Sequence, residues 1–191
     1  GRGEGIAKTP QTLETKGTAE EGGGSVYRKV LPYGVGAFLD FFVTLALFPG
    51  ITTSIPPAGS DPMGWMPVIL ITVFNVGDLS GRMLSAAFQR FVSIYAIALF
   101  TVARLGFVPL FLYLKSSQHS FGQWHFEAAV AAILLFALSN GFMATAFLIR
   151  GQGCVREGAE RNIASTVLVL CLTSGLAAGS VTAGPLTQLS F

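Results

Sequence analysis

The sequence predicts an all-α polytopic membrane protein with five transmembrane helices. Three observations carry that prediction. Of 191 residues, 51% are hydrophobic and only 12% are charged, against about 25% charged in an ordinary soluble domain. The charges are also segregated: none falls between Glu127 and Arg150, and none follows Arg161. Finally, five stretches reach the roughly 20 mainly apolar residues that a span requires. Helices are the expected form, because an open strand leaves its backbone unsatisfied in lipid.

Residues 1–29 are polar and rich in Gly, Thr, Glu and Lys. Such a segment buries too little apolar surface to fold alone and is expected to be disordered. Gly3–Thr9 has a partial likeness to a phosphate-binding loop, but no glycine stands immediately before Lys8 and no strand precedes the segment.

Residues 30–191 are predicted to form the bundle. Its spans cover about 30–55, 64–88, 91–114, 126–149 and 162–191, the last with a possible stop near Pro185. The first span contains Asp40 and is interrupted by Phe48-Pro49-Gly50, where proline removes a helix hydrogen bond. Such broken helices line many transporter sites, although a plain kink is an equal reading. The second span carries Asn75, Asp78 and Arg82. The third holds Arg104 and Pro109, and the fourth Ser139-Asn140-Gly141. The fifth contains Gly175 and Gly179 at GxxxG spacing, which reads first as a close-packing face.

Lys and Arg favour alternate connections: Arg28 and Lys29, then Arg90, then Arg150, Arg156 and Arg161. The positive-inside rule places those connections, and residues 1–29, in the cytosol. Five spans then put the C-terminus outside. Trp65, Tyr113 and Trp124 would form an outer aromatic belt.

Several function classes are disfavoured. A net charge of +2 without a basic patch gives no case for nucleic acid. Cys154 and Cys171 suggest neither a disulfide framework nor a metal site. His119 and His125 lack acidic or Cys partners nearby and are expected on a loop surface. No nucleophile–base pair or nucleotide loop speaks for an enzyme, and no cofactor is implied.

The informative residues are the intramembrane charges. A charge at the bilayer centre costs roughly 2.5–3.5 kcal/mol on insertion scales, so such residues default to a functional hypothesis. Asn75, Asp78 and Arg82 stand at i, i+3 and i+7, on one helix face, with Asp78 and Arg82 an i, i+4 pair. In the functional reading they line a cavity: Asp78 accepts hydrogen bonds from a polar solute and Arg82 orients it. In the structural reading they fix helix packing. Asp40 and Arg104 are possible coupling or packing charges; Arg104 has Asp40 or Asp78 as candidate partners. Asn140 either joins helices or faces the cavity.

Phe74-Asn75-x-x-Asp78-x-x-Gly81-Arg82 resembles the eighth-helix signature of equilibrative nucleoside transporters. In matching order, Phe48-Pro49 resembles the outer end of that family's seventh helix. Ala103–Leu110 resembles the ninth helix, Phe136–Phe142 the tenth, and Glu157 onward the last loop and eleventh helix. The resemblance covers about residues 33–185. It implies the C-terminal half of a major-facilitator-like carrier, with a six-helix N-terminal half elsewhere in the same polypeptide. Residues 1–29 would then end the central cytosolic loop. It further implies facilitative transport of nucleosides or nucleobases by alternating access, with the plasma membrane as the default location. Asp78 and Arg82 take the positions of the family's central acid and base on the ribose side; Asn75, Asn140 and Phe48 complete the expected substrate-binding set. The rivals are a five-span scaffold or assembly subunit with structural charges, and a secondary carrier of another small polar solute.

Overall fold

A computed structural model describes residues 11–55, 64–116 and 125–188. Asp61, His119 and Trp124 lie outside them, as does the Gly3–Thr9 segment. Among the described residues all regular elements are helical: α1 (Gln11–Leu47), α2 (Gly50–Thr53), α3 (Met66–Phe88), α4 (Ile94–Ala103), α5 (Phe107–Ser116), α6 (His125–Gly153) and α7 (Ala159–Gln188). Short 3-10 turns follow α3 (Gln89–Phe91) and join α4 to α5 (Arg104–Gly106). Five helical stretches are long and apolar enough to cross a membrane: Gly24–Thr53, Met66–Phe88, Tyr95–Ser116, His125–Gly153 and Ala159–Gln188.

One boundary differs from the sequence expectation. Helix α1 starts at Gln11, so residues 11–29, expected to be disordered, are helical. Its later turns have a packing reason: Val26 and Val30 are buried against Ala164 and Leu168 of α7. Helix α7 passes through Pro185, the possible stop, and is described as far as Gln188.

The helices pack as two close pairs, α1 with α7 and α3 with α6, joined mainly through α1 and α6. Small residues make both pairs possible. A Cβ on Gly175 or Gly179 would collide with the α1 backbone at Phe38 or Phe42. A Cβ on Gly81 or Gly141 would collide with the facing backbone of α6 or α3. At the other face α4 leaves Tyr95, Leu99, Phe100 and Val102 exposed, as suits a lipid-facing span.

The core is layered along the helices. One apolar cluster contains Leu47, Ile51, Leu70, Phe74, Phe111 and Phe136. A second contains Ala37, Ile97, Met143, Ala146 and Phe147. Between them in sequence, on each of the spans concerned, lie the buried polar residues Asp40, Thr44, Thr101, Arg104 and Asn140. A polar plane is thus enclosed by two apolar ones. At one end Lys115 of α5 donates to the Thr187 carbonyl of α7 at 2.5 Å. His125, expected on a loop surface, is instead fully buried at the start of α6, its Nε2 2.9 Å from the Leu114 carbonyl oxygen. The local cause is the return of the chain into the bundle, which seats the α6 start beside the end of α5.

Candidate functional site

The site is built by the α3–α6 crossing. Because Gly81 and Gly141 carry no Cβ, the two backbones meet, and Asp78 comes to lie beside Asn140. The Asn140 amide Nδ2 donates to Asp78 Oδ1 at 2.6 Å. Arg82 Nε, one helical turn along α3, donates to Asp78 Oδ2 at 2.8 Å. The carboxylate is therefore gripped on both oxygens, by a neutral donor from α6 and a charged one from its own helix.

Behind Asn140 the network goes deeper. Its Oδ1 lies 2.5 Å from the Thr44 hydroxyl and accepts from Arg104 Nη2 at 3.3 Å. These neighbours fix the amide's orientation: reversing it would aim –NH2 at a cation and oxygen at a carboxylate. Thr44 also accepts from Arg104 Nη2 at 2.7 Å, and its single proton has a second acceptor in the Asp40 carbonyl oxygen at 2.7 Å. Arg104 Nη1 donates to Ser139 Oγ at 2.7 Å and the Phe136 carbonyl at 3.2 Å. Its guanidinium carbon sits 4.6 Å from the Phe136 ring centroid, a cation–π contact.

Arg104 Nε lies 3.0 Å from Asp40 Oδ1. Neither Asp40 carboxylate oxygen nor Arg104 Nε makes an aligned hydrogen bond among the described residues. Attraction between opposite charges, rather than a directed bond, holds this buried pair. Arg104 can reach so many partners because it opens the 3-10 turn between α4 and α5. The tighter turn breaks the third span at that level, and α5 then resumes with Pro109 in its first turn, where proline is tolerated.

The result is one chain of contacts, Asp40–Arg104–Thr44–Asn140–Asp78–Arg82, with charges alternating in sign. It runs from full burial at Asp40 to a side chain 42% exposed at Arg82; Asp78 is 17% exposed. Five of the seven candidate residues therefore meet: Asp40, Arg104, Asn140, Asp78 and Arg82.

Two do not join. Asn75 is exposed, and its amide donates to the Ile71 carbonyl of its own helix at 2.9 Å. Phe48 is half-buried and stacks on Phe74, with ring centroids 3.8 Å apart and an interplanar angle of 12°. Phe74 continues into an aromatic cluster with Phe136, Phe107 and Phe111. Sequence reasoning missed Thr44, the residue that links Arg104 to Asn140. Its signal was its place one turn after Asp40, on the same helix face.

Chemically, Asp78 remains partly accessible with lone pairs to spare, and the terminal nitrogens of Arg82 have no partner among the described residues. An acceptor and a donor fork thus sit together at the edge of an otherwise apolar face formed by Val76, Leu79 and Met83. Among the described residues no group of His, Cys, Asp and Glu is arranged to hold a metal ion.

The model of the nucleoside transporter family matches residues 25–186, and the chain belongs to that family. It is similar to Equilibrative nucleotide transporter 1 of Arabidopsis thaliana, 33% identical over 160 residues, which cover 83% of this chain and 34% of the relative. It is also similar to Equilibrative nucleoside transporter 2 of Mus musculus, 30% identical over 164 residues, 81% of this chain and 36% of the relative. Equilibrative nucleoside transporter 4 of Danio rerio is 27% identical over 158 residues, 83% of this chain and 30% of the relative. The chain thus spans about a third of the length of the curated relatives it matches.

Proposed function

We propose that this chain forms the C-terminal five spans of a facilitative carrier for nucleosides or nucleobases. It would work by alternating access, rocking as a bundle against a six-helix N-terminal half of the same polypeptide. Residues 1–29 belong to the cytosol, the C-terminus to the outside, and the carrier to the plasma membrane.

The observation that carries the reading is the Asp78–Arg82 pair at mid-span, partly exposed and braced from behind by Asn140. A pair closed off on every side could only hold the fold. This one instead offers an acceptor and a donor fork to whatever faces α3. Asp78 accepts from a sugar hydroxyl, and Arg82 orients Asp78 and donates at the same edge. Asn75 lines the approach on the same helix, and Phe48, stacked on Phe74, supplies the apolar wall. Asn140 contributes by holding Asp78, and Asp40 and Arg104 by holding Asn140. Family membership, and relatives whose names specify nucleosides or nucleotides, support the solute class.

Uptake of labelled adenosine or inosine by the complete polypeptide tests this. Asp78→Asn is expected to lower subsaturating uptake by about 10- to 100-fold, the worth of a hydrogen bond to a charged acceptor. Surface expression should be retained, because asparagine can still accept from Asn140. Unchanged uptake at equal surface expression would remove Asp78 from the site.

A further inference from the structure

The end of the bundle that carries Lys29, Arg90 and Arg150 has a feature the transport reading does not use. Two depressions meet there and share one wall, Tyr33 of α1. The first, about 440 Å³, is a cup lined by Tyr33, Arg90, Ile149, Arg150 and the end of α6. Arg90 lies with its guanidinium carbon 4.7 Å over the Phe91 ring, and Arg150 donates to the Val92 carbonyl. The second, about 420 Å³, is a groove between α1 and α4. Its walls are Pro32, Val35 and Leu39 of α1, Ala98 and Val102 of α4, and Phe147 of α6, with Lys29 at its mouth. No carboxylate among the described residues lines either depression.

We propose that cup and groove together bind one anionic phospholipid, its phosphate in the cup and an acyl chain in the groove. Charge and length both point there. Among the described residues the cup presents two guanidinium groups and no acid, a lining that complements a phosphate. From Lys29 to Leu39 the groove follows ten residues of helix, about 15 Å at 1.5 Å per residue. That is half of the roughly 30 Å hydrocarbon thickness, the depth of a single leaflet. A soluble anion would fill the cup and leave the groove unused; a neutral apolar molecule would do the reverse. Basic pockets between helices on the cytoplasmic side are a known form of lipid headgroup site, and positive-inside placement puts this cup there.

The test is native mass spectrometry of the complete polypeptide in mild detergent, with phosphatidylserine and phosphatidylcholine offered in equal amounts. Phosphatidylserine should be retained over phosphatidylcholine by about fivefold or more, the factor attached to one basic residue at an anionic surface. Arg90→Gln should remove that preference by emptying the cup of one charge. Ala98→Trp should lower retention of both lipids by filling the groove. Both positions are exposed, so the melting temperature of lipid-stripped protein should match the parent for each variant. Free glycerol phosphate, which has the headgroup chemistry without the chain, should not displace the lipid. Equal retention of the two lipids would overturn the proposal, as would a preference that survives both variants. Displacement by glycerol phosphate would mean a phosphate site alone. A photo-crosslinker at position 98 that captures a segment of protein rather than lipid would show a helix in the groove, and would equally reject it.

Discussion

Arg104→Ala is expected to cause the largest loss of folded protein of any single substitution in the bundle. Its guanidinium is almost fully buried, contacts side chains and a carbonyl of two other spans, α1 and α6, and is the only counter-charge within 4 Å of Asp40 among the described residues. Removing one partner of a buried pair leaves an uncompensated charge, at a cost of about 3–5 kcal/mol. Among the described residues neither Asp40 carboxylate oxygen makes an aligned hydrogen bond, so no second donor there takes over. The same physics predicts a rescue. Asp40→Leu with Arg104→Met removes both charges and keeps the volume, which for buried pairs is often neutral in stability. Folded yield and melting temperature in detergent, by fluorescence-detected size exclusion, read both effects. Thr44, Ser139 and Asn140 lose a donor in either case, so the rescue should be large but incomplete. A double variant no better than Arg104→Ala would show that those polar contacts, not the ion pair, fix the fold at this level.

Gly141→Val is expected to be nearly as severe, for a different reason. A Cβ at position 141 has no room, because the Asp78 carbonyl occupies that space. The obstacle is backbone, which cannot swing aside as a side chain can. Overpacking costs about 1–3 kcal/mol where side chains yield, and this site belongs at or above the upper end. The two helices must part, and as they do the 2.6 Å bond from Asn140 to Asp78 lengthens. Uptake should therefore fall further than the residual folded yield explains. Gly106→Ala is the matched control: nothing lies within 4 Å of its would-be Cβ, and its melting temperature should stay at the parent value.

The five helices were legible because their signal is local: length, apolarity and the absence of charge can be read within each stretch. The Asp78–Arg82 pair was legible for the same reason, being a contact within one helix turn. The Asp40–Arg104 pair was not, because 64 residues and two helix crossings separate its members, and pattern alone offered Asp78 as an equal partner for Arg104. What decided it was the glycine crossing at Gly81 and Gly141, which turned Asp78 toward Asn140 instead. Asn75 shows the limit of spacing arguments. Three residues of α-helix turn through 300°, leaving Asn75 about 60° from Asp78 around the axis. That is close enough to share a face, yet far enough that Asp78 meets α6 while Asn75 turns outward and bonds to its own backbone. The break of the third span at Arg104 left no trace in its apolar pattern, since Pro109, the visible breaker, sits within the first turn of the next helix rather than at the break.

The alternation of sign along Asp40, Arg104, Asp78 and Arg82 also has an electrical meaning. Two acids and two bases sum to zero when all are ionised, and they are carried on helices that pack as one body. A membrane potential does about 2.3 kcal/mol of work per elementary charge for each 100 mV crossed. On a neutral quartet moving together it does none. In the carrier proposed above, this quartet would therefore add no net charge movement of its own as the bundle rocked, whatever the membrane potential.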